Sequence, residues 1–173
     1  MADVVQVISE WAAANEAKLA KIYKQKGGWE GWAQVELTSK LAQQFPGAAL
    51  REVAVYVDLG PRPRTADILL GPPFDIIELK CESLNQDIPP SKPEPDLTAF
   101  ARQLELDIIK IRDNHLKTNY TPSWIWVIGI TIKDEISDAT ATYNFPVAVG
   151  RVRTGEHLNV WWYREQRRAP PPV

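Results

Sequence analysis

Apolar positions along the chain fall into stretches with helical spacing and short runs with strand spacing. In residues 4–24, Val5, Ile8, Trp11, Ala12, Leu19 and Ile22 recur with helical periodicity, and Gly27-Gly28 breaks the pattern. A second helix is expected over residues 29–45, with Ala33, Leu37, Leu41 and Phe45 on one stripe and Pro46-Gly47 to end it. Residues 51–58 alternate, with Val53, Val55 and Val57 facing one way, as in a half-buried strand. Two more strand-like runs follow, around Asp67 and around Glu78, separated by Gly71-Pro72-Pro73. Strands joined by such short turns predict an antiparallel meander. A proline-rich loop over residues 83–95 is long for a compact domain, and such loops are often functional.

A third helix is expected over residues 96–115. Leu97, Phe100, Ala101, Leu104, Ile108 and Ile111 face the core, and Gln103, Asp107 and Lys110 form a polar line beside them. Residues 124–132 read as a buried strand, 142–152 as another and 157–163 as a short last one. The order α-α-β-β-β-α-β-β predicts a mixed α/β fold, with one domain over residues 1–163. The tail, residues 164–173, ends in prolines and is expected to be disordered.

Charges within the strand pattern change the picture. Asp67 sits in Thr65-Ala66-Asp67-Ile68-Leu69-Leu70, and Glu78 and Lys80 sit in Ile76-Ile77-Glu78-Leu79-Lys80-Cys81. Strand side chains alternate, so Glu78 and Lys80 point to one face about 6.5 Å apart along the chain. A charge on an otherwise apolar strand requires a partner or a task. Cys81 alternates to the opposite face as a small buried hydrophobe, and Glu82 lies near the strand end, where exposure is expected.

Composition narrows the field. At 173 residues, 45% apolar and 24% charged, the chain has the make-up of a globular domain. Its longest apolar run is too short to cross a bilayer, and no basic-then-apolar leader opens the sequence, so no membrane role and a cytoplasmic location are expected. One cysteine excludes an internal disulfide and a multi-thiolate zinc site. His115 and His157 lack neighbouring ligands, which argues against a histidine-metal site or a Ser-His-Asp triad. Net charge is −2, but five arginines stand against two glutamates from Thr140 onward, a surface that could face phosphates.

The element order and the residues Asp67, Glu78-Leu79-Lys80 and Glu36 resemble the PD-(D/E)xK nuclease superfamily, the fold of many restriction endonucleases. The resemblance covers roughly residues 29–132. It implies a restriction-endonuclease-like core, α-β-β-β-α-β, with a central mixed sheet flanked by helices. Asp67 stands for the family aspartate, Glu78-Leu79-Lys80 for (D/E)xK, and Glu36 for the additional helix glutamate of many members. Ala66 stands where the family often has proline, and Asp107 where some members have tyrosine four residues after a glutamine, here Gln103.

On this resemblance the chain is a magnesium-dependent nuclease, with manganese as a substitute and DNA as the first substrate implied. Magnesium prefers oxygen ligands, which Asp67, Glu78 and the Leu79 carbonyl could supply, with Glu36 as auxiliary ligand. Lys80 could stabilise charge on the phosphorane or hold the attacking water. Arg62 and Arg64 could hold phosphate, and Gln103 could touch substrate or water; solvation at a turn and a helix flank are the plain alternatives. Trp161-Trp162 puts one ring on each face, with the core as the plainer destination and base stacking or homodimer formation as the other. The rival reading is a catalytically inactive nuclease fold that serves as a binding or immunity protein. A nuclease toxin domain is a third.

Overall fold

The computed structural model describes residues 3–23, 29–57, 64–72, 74–83, 96–113, 115–120 and 123–167. Asp3 opens helix α1 (Val4–Ala14) as its N-cap, its carboxylate accepting the Val5 N–H at 2.7 Å. The first periodic stretch is two helices rather than one. Asn15 donates from its side-chain amide to the Trp11 carbonyl and closes α1, and α2 (Glu16–Ile22) starts immediately after it. Helix α3 (Glu30–Gln44) follows.

Strand β1 (Ala48–Val53) starts three residues earlier than the valine alternation suggests, and ends earlier too. Gly47 has φ +91°, and any Cβ there would run into the Gly71 backbone, so this turn needs glycine. Glu52 has φ 53°, the left-handed region, which ends the regular strand at Val53. Beyond it the alternation fails, since Val55 and Tyr56 are both fully buried.

Strands β2 (Ala66–Gly71) and β3 (Asp75–Cys81) complete an antiparallel meander with β1. Helix α4 (Ala99–Asp113) then carries the chain across the sheet to β4 (Ser123–Thr131), which pairs with β3 in parallel. Two further expectations need correction. Most of residues 142–152 is not strand: helix α5 (Asp134–Ala141) precedes it and only β5 (Gly150–Arg153) is extended. The last strand, β6 (Asn159–Arg167), continues four residues into the expected tail. It does so because it pairs with β4 as far as Ser123↔Arg167, while Arg164 stacks over Trp124 and Trp126. Residues 168–173 lie outside the described residues.

The result is a mixed α/β fold with a six-stranded mixed sheet, ordered β1-β2-β3-β4-β6-β5, and helices on both faces. On one face Ile68, Ile77, Leu79 and Ile128 pack against Ile8, Leu37 and Leu41 of α1 and α3. On the other, Leu69, Ile76 and Val127 pack against Phe100, Leu104 and Ile108 of α4. Each such side chain contributes about 1.5–3 kcal/mol on full burial. Gly129 sets how closely α4 approaches: a Cβ there would stand 2.8 Å from the Phe100 ring and 3.0 Å from Leu104. Among the described residues no helix is long and apolar enough to cross a membrane.

Candidate functional site

The polar cluster forms where two strands part. The β2–β3 ladder runs from Leu70↔Asp75 to Ile68↔Ile77 and stops, while β3 continues beside β4 to Cys81↔Ile130. Past the last rung, the Leu79 N–H has no strand partner on the β2 side. The Asp67 carboxylate takes it instead, at 2.7 Å. Continued in the same register, the ladder would set Asp67 across from Glu78, so the two carboxylates and Lys80 share the face that α4 covers.

Glu78 is 2% exposed, and both of its oxygens are occupied. Oε1 accepts the Tyr56 hydroxyl at 2.5 Å, and Oε2 accepts from Lys110 Nζ at 2.6 Å. Burial lifts the Glu78 carboxyl to about 7, against the opposing pull of the Lys110 ammonium. Burial also raises Asp67, opposed by the Leu79 N–H and by Lys110 and Lys80. The Tyr56 phenol is pushed well up by burial and by the charge of Glu78 beside it.

Lys80 is held from two sides. Its ammonium lies 3.3 Å from Glu30 Oε2 and 3.8 Å from Asp107 Oδ2. Burial works against its charge, but Asp107 and Glu30 outweigh that and raise its pKa, so Lys80 stays an ammonium. Asp107 is itself lifted by burial to about 6. Glu30 also accepts the Cys81 N–H at 3.0 Å, which ties the first turn of α3 to the end of β3.

Asp67, Glu78 and Lys80 therefore share one face, and Leu79 meets Asp67 through its N–H, not through the carbonyl expected to hold an ion. Glu36 does not join them: it makes no hydrogen bond or ion pair with these groups, and the α3 carboxylate that reaches β3 is Glu30. Six positions along a helix turn a side chain through about 240°, so the two glutamates leave α3 in different directions. Gln103 is half-buried on α4, one turn before Asp107, without a hydrogen bond among the described residues. Arg64 lines a cavity of about 480 Å³ with Thr65, Lys110 and Asp113. Arg62 lies outside the described residues.

Sequence reasoning missed Glu30, Tyr56 and Lys110 as members of the cluster. The polar line Gln103-Asp107-Lys110 was the available signal for Lys110, since it runs beside the buried stripe of α4 and so meets β3. Glu82 is a correction. It is 3% exposed rather than solvated, because its Oε2 accepts the N–H groups of Ile132 at 2.7 Å and Lys133 at 3.0 Å at the end of β4. Cys81 is buried, as expected, and burial pushes its thiol up. Trp161 lies in the core, with its ring N–H donated to Thr131 Oγ1 at 3.0 Å, and Trp162 is half-buried.

The donor set fits a hard divalent cation in kind and only partly in arrangement. Asp67 and Glu78 offer carboxylate oxygens on one face, as magnesium requires. Among the described residues, however, no three acidic, histidine or cysteine side chains stand close enough to hold an ion, and Lys110 already neutralises Glu78. Comparison with protein-family models, with curated proteins and with solved structures returned no match. The site's own chemistry must carry the reading.

Proposed function

We propose that this chain is a metal-dependent phosphodiester hydrolase of the PD-(D/E)xK nuclease type, acting on DNA with magnesium or manganese. The observation that carries the reading is the convergence of Asp67, Glu78 and Lys80 on one face at the point where β2 and β3 separate. The succession α3-β1-β2-β3-α4-β4, with strand order β1-β2-β3-β4 and only β3 and β4 parallel, agrees with a restriction-endonuclease-like core. The cluster lies towards the carboxyl end of β3, beside its parallel neighbour, where open α/β sheets commonly bind ligands.

Asp67 and Glu78 would hold the ion, which when bound would polarise the phosphate and acidify its water. Lys80, kept protonated by Glu30 and Asp107, would stabilise negative charge on a phosphate oxygen. Arg64 and Lys110, at the neighbouring cavity, offer cationic groups to a phosphate backbone. No separate recognition module is evident among these elements, so base selectivity would come from loops or a partner.

A plasmid-nicking assay tests the reading. The purified protein should convert supercoiled DNA to nicked or linear forms with magnesium or manganese and stop in chelator. Lys80→Ala and Glu78→Ala should each abolish cutting while circular dichroism shows a retained fold. Full activity in either variant removes that residue from the mechanism.

The second reading, an inactive nuclease fold used for binding or immunity, is favoured by one feature. The Lys110–Glu78 ion pair gives Glu78 a partner without any metal. On that reading neither magnesium nor manganese supports cleavage, and neither ion binds.

A further inference from the structure

We propose that Lys110 is an internal counter-ion that closes Glu78 in the resting chain and is displaced when a divalent cation binds. This inference rests on the metal-site reading above and adds what must move to open the site.

Both Glu78 oxygens are engaged: Oε1 accepts from Tyr56 and Oε2 from Lys110, at 2.5 Å and 2.6 Å. The two contacts differ in kind. A phenol hydroxyl can go on donating to a carboxylate that also binds a cation, since it adds no positive charge. An ammonium adds one. Two cations on one carboxylate repel strongly in a half-buried setting, so Lys110 and a metal compete for Glu78. The lysine is the more exposed partner, at 31% side-chain exposure against 3% for Glu78.

There is also somewhere for it to go. Lys110 already lines the cavity of about 480 Å³ that holds Arg64, Thr65 and Asp113. Asp113 follows Lys110 by three positions on α4, within reach on the same side of the helix, and offers a carboxylate to the displaced ammonium. The displacement would be a rotation about the lysine stem. In the displaced position the ammonium stands near Arg64, where a phosphate would meet both. Lys110 is thus a positioning residue: it sets when the carboxylate becomes available.

The test measures Mn²⁺ binding by calorimetry on the full chain and on Lys110→Gln, which keeps a hydrogen-bond donor and loses the charge. A second measurement needs no variant: amine-reactive labelling of the wild-type protein, read at Lys110 by mass spectrometry with and without Mn²⁺. The expected results are Mn²⁺ binding about tenfold or more tighter in Lys110→Gln, and faster labelling of Lys110 when Mn²⁺ is present. Binding seen only in the variant would mean that the lysine blocks the site outright instead of yielding to the cation, and would overturn the proposal. Equal affinities together with unchanged labelling would overturn it while leaving the metal site standing. Failure of both proteins to take up Mn²⁺ would overturn the metal site itself, and this inference with it.

Discussion

Two buried glutamates four residues apart in this chain have opposite characters. Glu78 and Glu82 are 2% and 3% exposed, and burial raises the pKa of both. The Glu82 carboxylate is satisfied by two backbone N–H groups, from Ile132 and Lys133, while its own carbonyl accepts the Trp29 ring N–H at 2.6 Å. Those partners are fixed by the fold and cannot leave. Glu78 is satisfied by two side chains, Tyr56 and Lys110, and the second is a partly exposed ammonium. A buried carboxylate tied to backbone is a strut, and one tied to exchangeable side chains can accept something else. Burial and pKa direction alone do not separate the two.

The sharpest way to break this comparison is to remove the strut. Glu82→Ala orphans two amides at the end of β4 and should cost about 3 kcal/mol, read as a lower denaturation midpoint. A loss as small as that of a surface substitution would mean the amides find other partners.

The next effect is smaller and depends on pH. Glu78 titrates at about 7 in the fold against an ordinary 4.5, so folding takes up a proton between those values. Its stabilising contribution is complete below pH 4.5 and is lost as pH rises through 7. Asp107, at about 6, acts in the same direction. Glu78→Gln removes the Glu78 share. Its stability relative to wild type should therefore improve by on the order of 2 kcal/mol between about pH 5 and about pH 8. Thermal melts at the two pH values measure this, and a parallel pH dependence in both proteins would contradict it.

How much of this was legible in the sequence follows from what each kind of element encodes. Asp67, Glu78 and Lys80 could be placed because strand alternation fixes the face from sequence alone. Glu30 could not, because the α3 stripe says which side of the helix is apolar and not which residue of its first turn overhangs β3. Tyr56 was hidden by a local backbone event. The left-handed Glu52 ends the alternation that would have turned Tyr56 outward, and the ring instead enters the core with its hydroxyl on Glu78. Helix α5 was missed because eight residues carry little periodic signal. Glu82 was misread because its partners lie 50 and 51 residues away, beyond any local pattern.

Two smaller predictions probe the frame around the cluster. Gly129→Ala should push on Phe100 and Leu104 and cost about 1–3 kcal/mol. Because α4 carries Asp107 and Lys110, the same change should reduce cleavage beyond its cost in stability, which a nicking assay well below the melting temperature would reveal. Glu52→Gly relieves a left-handed backbone and should be neutral or stabilising by up to about 1 kcal/mol. Clear destabilisation in a denaturant titration would mean that the Glu52 side chain has a role of its own.

Manganese calorimetry on four proteins tests the central claim most directly: wild type, Asp67→Asn, Glu78→Gln and Glu82→Gln. The account predicts that wild type and Glu82→Gln bind the ion alike, whatever Glu82→Gln loses in stability, and that Asp67→Asn and Glu78→Gln do not bind it. Wild-type protein that ignores manganese, or a Glu78→Gln variant that binds as tightly as wild type, would contradict it.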